Sequence, residues 1–433
     1  MRAFGIVSSL YVMADDLGVI FHASQLRIHT CTLDVTEEIS KGKNLSVVTL
    51  VNALIDHADS VRASDVHIDP SPTALSVRYR IDGVLQDVHA LPLHVHDAVL
   101  SRLKILCGLR TDEHQAAQDG RFKALLKNAV SIDVRVSIIP AYYGENAVLR
   151  LFSSEAETYT LEKLGFTKEN IKKVTHAITR PYGMVLATGP TGCGKTTTLY
   201  TLIKMLNAVE TSIITIEDPI EYALVGINQI QVHARTGLTF ANGLRSMLRQ
   251  DPDTIMVGEI RDAETAGLAV NISLTGHLVF STLHTNDAAT TLLRLLDMKV
   301  EPYLIASTVN IAIGQRLVRR LCDVCKGKRK LTLSEISSLQ NYVTHFSITS
   351  IPSVCVPVGC AICNHTGYKG RVGVHEVMTM TPVLRELVLK KNSATLLRTC
   401  AIQEGMVPLI EDGFMKVQNG LTTVEEILKI RYE

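Results

Sequence analysis

The chain has 433 residues, of which 46% are apolar and 20% are charged, and its formal net charge is +1 at pH 7. This length allows two or three domains with sizeable cores, and the near-zero charge excludes a large field that would attract nucleic acid or an anionic membrane. Nine cysteines in so long a chain do not make a disulfide scaffold.

The first 45 residues are weakly patterned. Residues 1–13 contain one Arg and an apolar stretch like that of a signal peptide, but two acids follow without a good cleavage site. A folded N-terminal piece is therefore predicted, and residues 37–44 are interpreted as a polar linker. Beyond this region no apolar run approaches the roughly 20 residues of a membrane-spanning helix, which predicts a cytoplasmic chain.

Residues 46–155 are predicted to form a compact α+β domain. Helical periodicity covers 46–60 and 92–107, and Asp82-Gly83 is a typical hairpin turn. Short alternating stretches predict strands at 64–70, 74–80, 130–139 and 146–152.

From residue 156 the pattern changes to strands that alternate with helices. Continuous apolar strands are predicted at 183–188, 212–217, 254–259 and 277–283. Because helices separate these strands, the pattern predicts an α/β core over 156–315, with a parallel sheet covered on both faces. Residues 316–375 are rich in Cys, Gly and Lys, and residues 376–433 are predicted to be helical.

The segment "GPTGCGKTTT" (189–198) matches the phosphate-loop pattern G-x-x-x-x-G-K-[ST], and it lies between a predicted strand and a predicted helix. Its glycines allow successive backbone N–H groups to face phosphate oxygens. Lys195 can reach the β- and γ-phosphates, and the Thr196 hydroxyl can bind Mg²⁺. The predicted ATP-binding residues are Gly189, Pro190, Thr191, Gly192, Cys193, Gly194, Lys195, Thr196 and Thr197.

The strand in "DPDTIMVGEIRD" (251–262) ends on Gly258-Glu259, where most phosphate-loop enzymes have an Asp that holds magnesium. A second acid, Glu217, ends the preceding predicted strand. Because ligands of an open parallel sheet bind beyond the carboxyl ends of its strands, Glu217 and Glu259 are predicted to approach the nucleotide from separate strands. The alternative for each is an exposed strand-end acid or a helix N-cap.

These segments, together with "TIEDPIE" and "TGHLVFSTLHTND", resemble in their order the secretion ATPases that drive type II secretion and type IV pilus assembly. In that family the strand that corresponds to the one ending on Glu259 also lacks the Asp. The resemblance covers roughly residues 46–433. It implies a RecA-like core after a smaller α+β, PAS-like domain, hydrolysis of ATP with Mg²⁺, and a homohexameric ring.

The resemblance also implies roles for individual residues. Glu217 would act as, or orient, the base for the attacking water, Glu259 and Thr196 would position Mg²⁺, and His284 would lie near the γ-phosphate. Four arginines would add positive charge as domains close or across a subunit boundary. The predicted catalytic residues are Lys195, Glu217, Glu259, His284, Arg135, Arg150, Arg245 and Arg249.

Two C-x-x-C pairs are separated by 34 residues. The four thiols could form a closed structural zinc site, with redox thiols as the main alternative, and the spacing does not decide between them. The resemblance favours zinc, because assembly ATPases carry a tetracysteine element here and retraction ATPases lack it. The predicted ligands are Cys322, Cys325, Cys360 and Cys363. Cys355 is interpreted as a bystander, and the basic segment 326–330 as a solvated loop, with membrane contact as an alternative.

The predicted function is that of a motor for type II secretion pseudopilus assembly, which acts at the cytoplasmic face of the inner membrane on a platform protein. About 45 residues precede the matching region, where many relatives have a longer docking domain, so docking is in doubt and secretion is weakly favoured over pilus assembly. The predicted divisions are 1–45, 46–155, 156–315, 316–375 and 376–433. A nucleic-acid motor is disfavoured by 5% aromatic residues and no Trp, and the third alternative is a scaffold that binds nucleotide without hydrolysis.

Overall fold

The structure is a computed structural model that describes residues 34–152, 159–340 and 353–430. The chain divides into two compact units, Met1–Glu155 and Ala156–Glu433, and each is described by itself. The segment that resembles a signal peptide, residues 1–13, lies outside the described residues.

The first unit is a six-stranded antiparallel sheet with the order β3-β2-β1-β6-β5-β4. Its strands are β1 (Ala63–Pro70), β2 (Leu75–Ile81), β3 (Val84–Leu91), β4 (Gln118–Leu125), β5 (Ser131–Ala141) and β6 (Gly144–Phe152). Its long helices are α1 (Val47–Ser60) and α2 (His96–Cys107). The helices share one core with alternate residues of the strands, such as Leu54 and Leu103 with Val66 and Val134, so the other sheet face is left to polar residues. The predicted helices and strands of this unit are confirmed.

The predicted polar linker at residues 37–44 is wrong. Residues 34–40 are helical, and a 3₁₀ turn follows at Gly42–Asn44. Val35 is fully buried in the core of the unit, and the Glu38 carboxylate accepts a hydrogen bond from the Ser46 backbone N–H at 2.5 Å. Ser46 in turn caps α1, so these polar residues are part of the folded first unit and do not form a linker before it.

The second unit is built on a seven-stranded sheet with the order β15-β12-β7-β11-β10-β8-β9. Its strands are β7 (Gly183–Thr188), β8 (Ile213–Glu217), β9 (Asn228–Gln231), β10 (Thr254–Val257), β11 (Leu278–Leu283), β12 (Val309–Leu321) and β15 (Tyr368–Thr379). Its helices up to residue 308 are α3 (Leu161–Leu164), α4 (Lys168–Ile178), α5 (Lys195–Leu206), α6 (Phe240–Met247), α7 (Ala263–Leu274), α8 (Ala288–Asp297) and α9 (Pro302–Thr308). All neighbouring strands are parallel except β12 and β15, and the predicted α/β class is confirmed.

Successive residues of β7 show why the sheet is covered on both faces. Met184 and Leu186 pack in one core with residues of α6, α7 and α8, whereas Val185 and Ala187 pack in another with residues of α4 and α5. Side chains of a strand alternate between faces, so a strand that is apolar at every position needs two layers of helices. The carboxyl ends of the parallel strands are thereby left as the exposed edge where a ligand can bind.

The longest strand pair of the sheet, β12 and β15, was missed in the sequence. The two strands pair antiparallel, and the divisions predicted at 315/316 and 375/376 fall inside them. Glycines and arginines interrupt their apolar pattern, as in "GQRLVRRL" and "KGRVGVHE", so the periodicity is weak. Cys322 follows β12 directly, and the cysteine pairs therefore project from the end of the main sheet.

The rest of the second unit packs on this strand pair. A two-stranded sheet, β13 (Gly327–Arg329) with β14 (Val354–Val356), follows β12. The remaining helices are α10 (Leu333–Gln340), α11 (Pro382–Leu389), α12 (Ala394–Gln403), α13 (Leu409–Gln418) and α14 (Val424–Lys429). Val318, Val374, Phe414 and Ile427 share a core, which joins the terminal helices to the sheet. Within the described ranges, no helix has the length and apolar character needed to traverse a lipid bilayer.

Candidate nucleotide and metal sites

The phosphate loop connects β7 to the first turn of α5. Gly189 has φ +143°, and a Cβ there would lie 2.4 Å from the Gln315 carbonyl oxygen, so only glycine fits. Gly194 has φ +87° and precedes Lys195, the first residue of α5. No side chain caps this helix, so its first N–H groups are available to an anion, which the helix dipole also favours.

Lys195 folds back over the loop that it follows. Its side-chain ammonium donates to the carbonyl oxygens of Gly189 at 2.7 Å and Pro190 at 3.0 Å, and the residue is only 9% exposed. Burial lowers the pKa of Lys195, and the nearby Glu259 carboxylate opposes that shift. The ammonium is thus held by neutral acceptors. Phosphate oxygens are charged and therefore stronger acceptors, and they can take the place of the two carbonyls.

The loop is supported from behind by residues of β12 that sequence reasoning missed. The Gln315 side chain donates to the Cys193 carbonyl at 2.6 Å and accepts from the Thr198 hydroxyl at 2.7 Å, so it ties the loop to α5. The Arg316 guanidinium donates to the Gln315 carbonyl at 3.0 Å. Burial raises the pKa of the Cys193 thiol, which makes this side chain a small packing group and not a reactive one. No local motif marks Gln315, which is 122 residues from Cys193 in the chain.

The two predicted acids lie at the ends of neighbouring strands. Glu217 is the last residue of β8, and Glu259 follows β10 by two residues. The strands pair in parallel with Val257 opposite Ile216, and the Gly258 N–H donates to the Ile216 carbonyl at 2.8 Å. The fold therefore places the acids side by side at the carboxyl edge of the sheet, although 41 residues separate them in the sequence.

The missing Asp has a steric reason. A Cβ added to Gly258 would lie 3.3 Å from both the Glu217 Cα and the Ile216 carbonyl oxygen. That approach is tighter than ordinary van der Waals contact, and the neighbouring atoms are backbone, which cannot turn away. An Asp at this position would also bring a second carboxylate against Glu217.

Replacing Gly258 by Asp is expected to damage the site although it creates the usual acid. We expect a loss of about 1–3 kcal/mol in the free energy of unfolding, because side-chain atoms are forced into a packed position. The matched variant Gly258→Ala adds the Cβ without the charge. Thermal unfolding and ATP hydrolysis should both rank wild type above Gly258→Ala and Gly258→Ala above Gly258→Asp; a fully active Gly258→Asp would contradict the crowding.

Glu259 is held between two positively charged or chargeable groups. Its carboxylate pairs with Arg261 at 2.5 Å and lies 3.2 Å from His284 Nε2. A hydrogen bond and the charge of Glu259 raise the pKa of Arg261. The structure thus brings His284 to Glu259, two residues for which separate roles are predicted, and it adds Arg261, which was not singled out in the sequence. Both partners are about half exposed or more, so incoming phosphate can compete for them.

The segment "TGHLVFSTLHTND" contains two histidines, His277 and His284, which lie at opposite ends of one strand. His284 follows β11 at the edge that carries the acids, whereas His277 precedes β11 and faces the Ile272 carbonyl at 3.1 Å. Thr285, the residue after His284, is held to the end of β7, because its N–H donates to the Thr188 hydroxyl at 3.1 Å. This contact couples the position of His284 to the end of β7.

Glu217 is more enclosed than its predicted role suggests. The residue is 2% exposed, and its carboxylate accepts hydrogen bonds from the Tyr200 hydroxyl, from Thr215 at 2.6 Å and from Gln229 at 3.2 Å. None of these three residues was predicted from the sequence. Tyr200 lies on α5, the helix that begins with the phosphate-loop lysine.

Arg135 and Arg150 belong to the first unit and lie directly opposite each other on β5 and β6. Arg121 on β4 is in turn opposite Arg135, so three arginines form a row on the polar face of the sheet. Like charges in direct cross-strand positions destabilise a sheet, which argues for a functional reason to keep them. Asp65 fixes one end of the row by an ion pair with Arg150 at 3.0 Å, and the Arg135 guanidinium lies 4.5 Å above the Phe152 ring.

Arg245 and Arg249 lie in the second unit but make contacts with their own helix and with α7. Arg245 pairs with Glu264 at 2.7 Å, and both side chains are exposed. Arg249 lies in the 3₁₀ turn that follows α6 and donates to the Arg245 carbonyl at 2.9 Å. The two residues are thus adjacent, as their spacing predicts, but their contacts do not include the phosphate loop or the acids.

The four predicted metal ligands form one cluster. Their sulfur atoms all lie within 4.8 Å of one another, with pairs at 3.7–3.9 Å. Four thiolates at the usual zinc–sulfur distance in a tetrahedron have sulfurs about 3.8 Å apart, so these pairs already have the spacing of a zinc site. Cys355 is not part of the cluster, as predicted.

The surroundings of the cluster affect two of its thiols in opposite directions: burial raises the pKa of Cys325 to about 12, whereas backbone N–H groups favour the Cys363 thiolate. Burial alone would raise the pKa of the Cys363 thiol, but the N–H groups of Cys360 and Gly367, each 3.2 Å from its sulfur, lower that pKa to about 7.

In the neighbouring basic segment, Lys326 pairs with Asp323 and Arg329 with Glu335. These pairs neutralise part of the positive charge that a membrane contact would use.

A phosphate loop on a parallel sheet, with an acid, an arginine and a histidine at the adjacent strand ends, defines the class of phosphate-loop ATPases. Comparison with known proteins then gives the family. The model of the family described as "Type II/IV secretion system protein" matches residues 40–429. The chain therefore belongs to this family and is one of its ATPases, as the resemblance predicted.

Named relatives come from both branches of the family. The type IV pilus assembly ATPase PilB of Myxococcus xanthus is 45% identical over 397 residues, which cover 92% of this chain and 70% of that protein. The type II secretion system protein HxcR of Pseudomonas aeruginosa is also 45% identical over 397 residues, covering 92% and 80%. The crystal structure of the pilus retraction motor PilT with bound ADP has a TM-score of 0.59 at 25% identity and covers 87% of this chain and 95% of that one.

Proposed function

We propose that this chain is the motor that powers assembly of a type II secretion pseudopilus for protein export across the bacterial outer membrane. The observation that carries the proposal is the contact of Glu259 with His284, together with the electrostatic effect of Glu259 on Lys195, in a chain that matches the secretion family over 40–429. The relative HxcR, named as a type II secretion protein, supports the export branch.

In the proposed reaction, ATP binds with its phosphates on the loop Gly189–Thr197, where Lys195 exchanges its two carbonyl acceptors for phosphate oxygens. Thr196 and Glu259 would hold Mg²⁺, which neutralises charge on the phosphates when bound. Glu217 orients and deprotonates the attacking water, and His284 senses the γ-phosphate through its contact with Glu259. Hydrolysis is then coupled to domain movement of the hinge type.

The same proposal includes a homohexameric ring at the cytoplasmic face of the inner membrane, where the partner is the membrane platform protein of the secretion machine. Arg135 and Arg150 would reach a nucleotide as the units close or across a subunit boundary, together with Arg245 and Arg249. The zinc cluster stabilises the second unit and takes no part in hydrolysis. No role for nucleic acid is proposed.

Single replacements of Arg135 and Arg150 by Ala are expected to lower kcat about 10²–10³-fold, because each removes a cation that stabilises charge on the transferring phosphoryl group. Arg110→Ala is the matched control, since Arg110 is an exposed arginine of the same unit paired with Asp112. Thermal unfolding is measured for both variants, because Arg150→Ala also breaks the ion pair with Asp65 and Arg135→Ala removes the contact with the Phe152 ring. Wild-type kcat in both variants would remove these residues from the mechanism.

Type IV pilus assembly is the second candidate, and the 45% identity to PilB of Myxococcus xanthus favours it. The two functions can be separated in the native cell by replacing the chromosomal gene with the Lys195→Ala allele. Our proposal predicts that exported proteins accumulate in the periplasm while surface pili remain. Loss of pili with intact export would establish the second candidate, and no change in either process would refute both. Cross-linked capture of the platform protein would identify the partner.

A further inference from the structure

We propose that Tyr200 and Gln229 are positioning residues for Glu217, and that they hold its carboxylate as a proton acceptor which moves with the phosphate-binding helix. The proposal rests on the proposed role of Glu217 in hydrolysis and goes beyond it, because it names the groups that fix this acid. The observation is the buried hydrogen-bond network around Glu217, formed by α5, β8 and β9.

The partners of Glu217 are neutral donors. Thr215 and Gln229 donate to Oε1, and Tyr200 donates to Oε2. A carboxylate has about four acceptor positions, so three donors satisfy the buried charge and leave one position, on Oε2. That position is available to a water molecule once the site holds its substrate.

The contrast with Glu259 divides the work between the two acids. Glu259 lies against the Arg261 cation, so its carboxylate is already engaged in an ion pair. Glu217 has only neutral donors among its contacts in the described chain, so its carboxylate is not engaged in an ion pair. The geometry therefore points to Glu217 as the general base. Glu259 is the carboxylate that pairs with the positively charged or chargeable groups of the site.

Gln229 fixes the orientation of the whole network. Its side-chain oxygen accepts from the Leu224 N–H at 2.6 Å, which turns its NH₂ group toward Glu217, the Tyr200 hydroxyl and the Tyr222 carbonyl. Tyr200 can then accept from Gln229 and donate to Glu217. Other titratable groups around the network are Tyr222, whose ring packs edge-on to Tyr200, and Glu221 beside it.

The network also couples Glu217 to bound nucleotide. Tyr200 lies five residues after Lys195 on α5, so the helix that receives the phosphates carries the donor to Oε2. A shift of α5 on nucleotide binding or release moves this donor directly. The hydrogen bond thus links occupation of the phosphate loop to the position of the base.

The test is steady-state ATP hydrolysis by the full-length chain with Tyr200→Phe, Gln229→Leu, Glu217→Gln and the double variant Tyr200→Phe/Glu217→Gln. The exposed Tyr303→Phe serves as control. Loss of a hydrogen bond to a buried charged group should lower kcat about tenfold to a hundredfold in the first two variants. KM for ATP should stay within about twofold, because neither residue belongs to the phosphate loop.

In the Glu217→Gln background, Tyr200→Phe should have no further effect on the residual rate. Equal effects in both backgrounds, an unchanged kcat in Tyr200→Phe, or a loss of ATP binding would overturn the proposal. An active Glu217→Gln would instead refute the catalytic role of Glu217 itself, so the two failures are distinguishable.

Discussion

Replacing Lys195 by Ala is expected to abolish ATP hydrolysis, with kcat at least about 10³-fold below wild type. Lys195 is the cation of the phosphate loop, and its ammonium already lies over the loop with two weak acceptors that phosphate would replace. The fold should survive, because Lys195 forms no ion pair with another residue that the structure describes. Measurements are phosphate release with Mg²⁺ and ATP, and thermal unfolding without nucleotide.

The matched control for this variant is Lys172→Ala, which removes an exposed lysine from α4 in the same unit. It should hydrolyse ATP as wild type does. Hydrolysis by Lys195→Ala at the wild-type rate would show that the reaction occurs elsewhere, and the site described above would have to be abandoned.

Loss of the metal from the cysteine cluster is expected to have the largest effect on stability. The purified chain should contain about one zinc per molecule, and Cys360→Ser should lose it together with several kcal/mol of stability. The cluster follows β12, and the core beside it includes Val318, Phe414 and Ile427, so unfolding there loosens the terminal helices as well. Elemental analysis and thermal unfolding with and without chelator measure both effects.

Cys400→Ser is the control, because Cys400 lies on α12 and contacts Glu404 rather than the cluster. It should keep the zinc and the wild-type unfolding temperature. The zinc assignment is contradicted if freshly reduced wild-type protein contains no zinc and chelator does not change its unfolding temperature. The redox alternative would then explain these four thiols.

The parts of the structure that could be predicted from the sequence are those with a strong local signal. The strand, glycine turn and Lys195 lie within about twenty residues, so one window contains the whole phosphate loop. Strand-end acids could also be predicted, since the carboxyl ends of parallel strands share an edge of the sheet. The resemblance to the secretion ATPases added roles that residue spacing alone does not give.

The features that could not be predicted from the sequence depend on contacts between segments that are far apart in the chain. Gln315 supports Cys193 from 122 residues away. Tyr200 lies on α5, which follows β7, yet it contacts Glu217 at the end of β8, with two strands between β7 and β8 in the sheet. The missing Asp at Gly258 is explained only by the close approach of β8. The long strand β12 was missed because arginines and glycines interrupt its pattern, and no periodicity rule compensates for that.

The central claim is that two acids from neighbouring strands meet at one triphosphate on the phosphate loop. The most direct measurement is a structure of the full chain with Mg²⁺ and a non-hydrolysable ATP analogue. We predict Lys195 on the β- and γ-phosphates, with the carboxylates of Glu217 and Glu259 each within one water molecule of Mg²⁺ or the γ-phosphate. A nucleotide-bound structure in which either carboxylate is farther away in every subunit would contradict the account.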